Sequence, residues 1–166
     1  MRTHFLLFLF VFSGCTPVAT YPPVETKAGL VFSGSVHEPV PTIMTEVVLY
    51  THKHFGGLQT IVFNLPLGIN SDTYSDVIGR ISGSAPMSKV DEIAYHITEL
   101  RVRGFSADAD VMFPLASGGY GVATVLLKHS VSDGWVVVSD RVWLIPVDTP
   151  PVPNLSVDSA VGVNNK

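Results

Sequence analysis

Residues 120–145 read YGVATVLLKHSVSDGWVVVSDRVWLI, and their alternation decides the fold class. In 120–129, Tyr120, Val122, Thr124 and Leu126 fall on one face of an extended chain. Ala123, Val125 and Leu127 fall on the other. Period-two placement of β-branched and aromatic residues is the pattern of a strand. Ser132-Asp133-Gly134 supplies turn chemistry, and 135–145 alternates again, so the two runs form a hairpin. Trp135 and Trp143 share a face if this strand is regular; exposed, they could form a ligand platform, and buried, which is the expectation for large aromatics on a strand, they anchor the core. Pro146 cannot donate to a ladder and is expected to end the strand.

Working upstream, Ala107, Ala109, Val111 and Phe113 alternate with Asp108, Asp110 and Met112, giving a strand with one wet face. Leu100 and Val102 alternate with Arg101 and Arg103, and Gly104 marks the turn between. Pairing these strands would set Arg101 and Arg103 near Asp108 and Asp110. Ser88 with Asp91 imitates a capping box, and Val90, Ile93, Ala94 and Ile97 match a helix; Ile93, Tyr95 and Ile97 also alternate, with a phase slip before Leu100 that a bulge absorbs, and the strand is preferred. The result is a four-stranded antiparallel meander over the C-terminal third, with 93–103 as a bent first strand.

Before the meander, 42–55 carries two competing signals. Val47-Val48-Leu49-Tyr50 favours a strand by propensity. Ile43, Val47, Tyr50 and His54 fall at helical spacing, with Met44, Val48 and Phe55 on the adjacent row. Basic His52-Lys53-His54 placed late, with Gly56-Gly57 following, suits a helix C-terminus. A helix is expected, with Pro39 and Pro41 breaking regular structure ahead of it. Residues 60–65 read as a strand. Asn70 is a candidate N-cap for a helix with Tyr74, Val77, Ile78 and Ile81 in one stripe, and 82–87 reads as a loop.

Helices packed on a C-terminal meander give an α+β class. The element order over about 100 residues resembles the half-open, curved-sheet folds of the cystatin-like and nuclear-transport-factor-like kind. That resemblance implies a sheet wrapped around a helix, with room for a pocket between them. Fold alone would not assign a function.

The chain has 166 residues, of which 46% are hydrophobic and 14% charged, and a net charge of −4. Such a composition suits one globular domain and gives no general attraction to nucleic acid. Arg2 precedes the unbroken apolar run 5–12, and small residues lead to Cys15, the only cysteine. An apolar core this short is a signal peptide rather than a membrane span, which needs roughly 20 residues. Phe12-Ser13-Gly14-Cys15 resembles the lipobox of bacterial lipoproteins, with phenylalanine where leucine is commoner. The resemblance covers only these first fifteen residues. It implies cleavage between Gly14 and Cys15, diacylation of Cys15 and acylation of the new amino terminus. Thr16 in place of aspartate implies the periplasmic face of the outer membrane. An ordinary signal peptide cleaved nearby, leaving a free thiol, is the other reading.

The domain plan is therefore a signal peptide over 1–14 and a lipid anchor, proline-rich tether and short clip strand (Leu30-Val31-Phe32) over 15–41. A single α+β domain over 42–146 and a disordered tail over 147–166 complete it. The expected partners are the membrane, through lipidated Cys15, and an envelope protein.

Chemistry-bearing residues are few. His52 and His54, two apart on a helix, point roughly 200° apart and cannot chelate together. With His96 and His129 they form the only histidine set, and no metal site is assigned; His37 carries no signal. Asp108 and Asp110 share a strand face and could act as paired carboxylates, but their simpler role is the wet face opposite Arg101 and Arg103. Ser117-Gly118-Gly119-Tyr120-Gly121 joins two strands and reads as a hairpin turn, not a phosphate loop. No catalytic residue, cofactor or metal ligand is assigned. The expectation is a non-enzymatic interaction module. A small-ligand binder with a pocket between sheet and helix is the alternative. An enzyme using His96 or His129 with Asp108 or Asp110 is the third.

Overall fold

The computed structural model describes residues 18–22, 37–147 and 149–155. The leader, Gly14, Cys15 and the Leu30-Val31-Phe32 clip lie outside the described residues. Among the described residues the fold is α+β, with two helices against a seven-stranded mixed sheet that does not close. The elements run β1 (Val18–Tyr21), α1 (Val40–Phe55), β2 (Ile61–Asn64), α2 (Ser71–Arg80), β3 (Ser84–Pro86), β4 (Tyr95–Arg103), β5 (Ser106–Pro114), β6 (Tyr120–Ser130) and β7 (Gly134–Val147). The strand order is β3-β2-β4-β5-β6-β7, with β1 also paired to β4. The predicted four-stranded meander is β4 to β7.

Alternation alone does not explain how this meander presents its side chains, because two bulges correct it. In β4 the register shifts between Ile97 and Glu99. Thr98 is the extra residue, and its Oγ1 donates to the Asp110 carbonyl at 3.1 Å. The shift lets Tyr95, Ile97, Leu100 and Val102 all reach the core, and all are buried. In β7 the register shifts opposite Leu126 and Leu127, with Val138 inserted. Trp135 and Val137 therefore pair with His129 and buried Leu127, whereas Trp143 pairs with Val122 on the outer face. The expectation of two core tryptophans is corrected: Trp135 is buried and Trp143 is 42% exposed.

Helix α1 covers the core face of the sheet. Ile43, Met44, Val47 and Val48 are essentially fully buried, and Thr51 closes the stripe by donating to the Val47 carbonyl at 2.7 Å. Each large apolar side chain so buried stabilises the fold by about 1.5–3 kcal/mol. That stripe outweighs the strand propensity of its valines. Pro41 does not break the element as expected. It occupies the first turn, where its missing N–H has no helical partner to lose. Asn70 caps α2 as predicted, its Oδ1 accepting from the Thr73 N–H at 3.0 Å. Arg80, late in α2, pairs with Glu38, and its Nη1 donates to Thr42 Oγ1 at 2.6 Å, tying α2 to the start of α1.

Four other expectations are corrected. Residues 84–86, read within a loop, form β3 and pair in parallel with β2. Val18–Tyr21, read as tether, is a strand antiparallel to β4, with Val18 opposite Arg103 and Tyr21 opposite Leu100. Strand β7 runs through Pro146 to Val147, which an edge strand tolerates because its outward N–H groups are not needed for pairing. Residues 149–155, read as disordered tail, fold back onto β2. Asn64 Nδ2 donates to the Val152 carbonyl at 2.9 Å, and Asn154 Nδ2 donates to the Leu65 carbonyl at 2.7 Å. Residues 156–166 lie outside the described residues.

Candidate functional site

The outer face of the meander, away from α1, carries the features that core packing does not use. Its centre is a charge cluster. Arg101 Nε donates to Asp108 Oδ2 at 2.7 Å and its Nη1 to Asp110 Oδ2 at 2.9 Å. Glu99 Oε1 lies 2.9 Å from the same Nη1. The Asp110 hydrogen bond heads the causes that raise the Arg101 pKa, with those to Asp108 and Glu99 adding to it and desolvation opposing them. The sequence predicted this cross-strand pairing for Arg101. Arg103 instead stands opposite Ser106.

Beside the cluster lies an open groove of about 390 Å³, bordered by Thr98, Asp110, Val122, Thr124, Trp143 and Ile145. Its polar groups are bonded to each other. Thr124 Oγ1 donates to Asp110 Oδ1 at 2.6 Å, and Trp143 Nε1 donates to Thr124 Oγ1 at 3.1 Å. The Arg141 guanidinium stacks 4.4 Å above the Trp143 ring. With its polar groups satisfied internally, the groove offers mainly apolar surface.

At the groove's rim the sheet breaks register a third time. Tyr120 pairs with Val147 and Val122 with Trp143, so Leu144, Ile145 and Pro146 stand opposite Gly121 alone. This bulge throws Leu144 and Ile145 outward, 96% and 72% exposed. Natural edge strands use bulges and charges to discourage pairing. Here the bulge presents apolar side chains instead.

Between sheet and helix, Ile43, Met44, Val47 and Val48 are buried in one cluster with Leu100, Ala109, Val111 and Val125. Other side chains singled out by sequence are scattered. His96 lies on the outer face under Tyr120, ring centroids 5.3 Å apart, with its Nδ1 3.4 Å from Asn64 Nδ2. Its Nε2 is buried without a hydrogen-bond partner, and burial pushes its pKa down to about 4. His129 packs between Phe105 and Trp135, at the other end of the sheet. Asp108 and Asp110 are engaged by Arg101. His52 and His54 occupy the last turn of α1, His52 Nδ1 lying 3.2 Å from Tyr95 Oη and His54 stacked 3.9 Å from Tyr50.

Among the described residues no group of three or more His, Cys, Asp or Glu side chains could hold a metal ion. No described helix is long and apolar enough to cross a membrane. The sequence reading missed the groove and the Leu144–Ile145 rim. The only signal available was the crowding of Val142, Trp143, Leu144 and Ile145 just before a proline. No family model, curated protein or solved structure matches this chain.

Proposed function

We propose that this chain is a lipid-anchored protein of a bacterial envelope, held by Cys15, whose domain docks another envelope protein rather than performing a reaction. The observation that carries the docking reading is the bulge in β7, which holds Leu144 and Ile145 out beside half-exposed Trp143. A contiguous exposed apolar patch is costly to keep on a monomer. Tryptophan and arginine, here Trp143 under Arg141, are the residue types that concentrate binding energy in protein interfaces. The anchor reading is supported by the leader and by the lone cysteine directly behind it.

Two measurements test this reading. Intact mass of the detergent-extracted protein, beside a Cys15→Ala variant, should show cleavage before Cys15 plus acyl chains that the variant lacks. A photo-crosslinking side chain placed at Leu144 should trap a partner in cells, and Ile145→Asp in the same chain should abolish the adduct. No adduct from position 144, with normal expression and folding, would sink the docking reading.

A further inference from the structure

We propose that the end of the sheet bearing the β4–β5 and β6–β7 turns is a bilayer-docking end, with Phe105 and Val131 as the side chains that enter the lipid. This inference rests on Cys15 being the acylated residue.

The position of β1 motivates it. Val18 pairs with Arg103 at the last residue of β4, beside the Gly104-Phe105 turn. Only three residue steps separate Cys15 from Val18, a reach of at most about 11 Å. An acyl anchor at Cys15 therefore cannot hold this end of the sheet far from the membrane. Of the tether expected over 15–41, Val18–Tyr21 is a strand paired to β4.

The same end collects a second turn. Ser106 pairs with Lys128, and the His129 N–H donates to the Phe105 carbonyl at 2.8 Å, so the β4–β5 turn touches the end of β6. The β6–β7 turn at 131–133 follows directly. Phe105 is 78% exposed and Val131 fully exposed, at the tips of the two turns nearest the anchor. Arg103 and Lys128 are exposed beside them, and Asp133, bonded to Ser130 and Ser132 within the β6–β7 turn, is an acidic group of this end. Apolar tips flanked by cations suit the headgroup boundary of a bilayer containing anionic lipid. One anchor alone leaves a domain free to tumble on its tether, and two inserted tips would fix its orientation. Strand β7 starts at this end with Gly134, so Leu144, ten residues on, would stand roughly 30 Å away from the lipid.

The test uses the full chain, extracted from cells and reconstituted into phosphatidylethanolamine–phosphatidylglycerol vesicles. Spin labels are attached at Phe105→Cys, at Val131→Cys and at Ser117→Cys, the last in the exposed β5–β6 turn at the opposite end of the sheet. Labels at 105 and 131 should show an oxygen-to-nickel-complex accessibility ratio severalfold above that at 117. Intact mass of the same preparation reports acylation. Acylated protein with all three labels equally open to the aqueous nickel complex overturns the docking end and leaves the anchor standing. Unacylated protein overturns both.

Discussion

Asn64 and Asn154, 90 positions apart, are joined at the outer face: the Asn154 N–H donates to Asn64 Oδ1 at 3.0 Å. The same Oδ1 accepts from Tyr74 Oη at 3.1 Å, while Nδ2 reaches the Val152 carbonyl and faces His96 Nδ1. One buried amide thus ties β2, α2, β4 and the chain after β7 together. Replacing Asn64 with leucine removes the partners of the Val152 carbonyl and the Asn154 N–H at once, while the Tyr74 hydroxyl keeps the Leu65 N–H and carbonyl. The expected cost is on the order of 2 kcal/mol, since each hydrogen bond lost contributes about 0.5–1.5. Hydrogen exchange should report it first, as faster exchange over 149–155 than in the β5–β6 core.

Buried His96 makes the fold acid-sensitive over a defined window. Unfolded, the imidazole takes a proton near pH 6.5; in the fold, burial lowers this to about 4. Between those values the unfolded chain holds more protons, so stability falls as pH drops from about 6.5 to about 4 and levels off below. The loss approaches about 3 kcal/mol, at 1.36 kcal/mol per pH unit. Urea midpoints at pH 7 and pH 4.5 should converge in His96→Phe, which has no proton to take. Glu38 and Glu92, whose pKa values lie below the ordinary 4.5, act only at the acid end of that range.

Arg101 keeps three carboxylates apart on one face. Arg101→Met leaves Glu99, Asp108 and Asp110 facing each other with no cation among them. Destabilisation of about 1–2 kcal/mol is expected at pH 7, the half-buried setting lifting it above a surface ion pair. Because the loss is electrostatic, it should be smaller at 1 M than at 0.05 M salt. Chemical denaturation at the two ionic strengths checks both the size and the sign. A loss equal at both would mean that the guanidinium acts by packing alone.

Gly121 is held small by a close neighbour. A Cβ there would fall 2.5 Å from Phe113 Cζ, and Phe113 stacks on Phe55 of α1 with ring centroids 4.4 Å apart. Gly121→Val should push the Phe113 ring off Phe55 and cost about 2–3 kcal/mol by overpacking. The thermal midpoint should drop by roughly 5–10 °C at this chain length. Gly57, with nothing within 4 Å of the same added atom, is the control expected to show little change.

The sequence was most legible where one pattern ran for many residues. The four meander strands each run nine residues or more, and the α1 stripe from Ile43 to Thr51 buried enough apolar surface to override its β-branched run. Short elements were opaque. Three residues of β3 carry no periodicity, and Val18–Tyr21 sits between prolines that suggest an extended tether. The docked segment 149–155 is held by Asn64 and the Leu65 carbonyl, far away in sequence, which no local pattern encodes. The outer-face site was hidden for a related reason. It depends on register shifts opposite Leu126–Leu127 and at Gly121, and register is decided by both strands together rather than by either one.

The inserted residue Val138 has a practical consequence. By sending Trp135 inward and Trp143 outward, it leaves the chain with two indoles in different surroundings, one sealed beside His129 and one under Arg141 at the groove. Their emission should divide into an iodide-insensitive blue component from Trp135 and a quenchable red component from Trp143. Changes confined to the red component would report events at the groove, and changes in both would report unfolding. The protein carries its own pair of optical gauges, one for the interior and one for whatever settles on its surface.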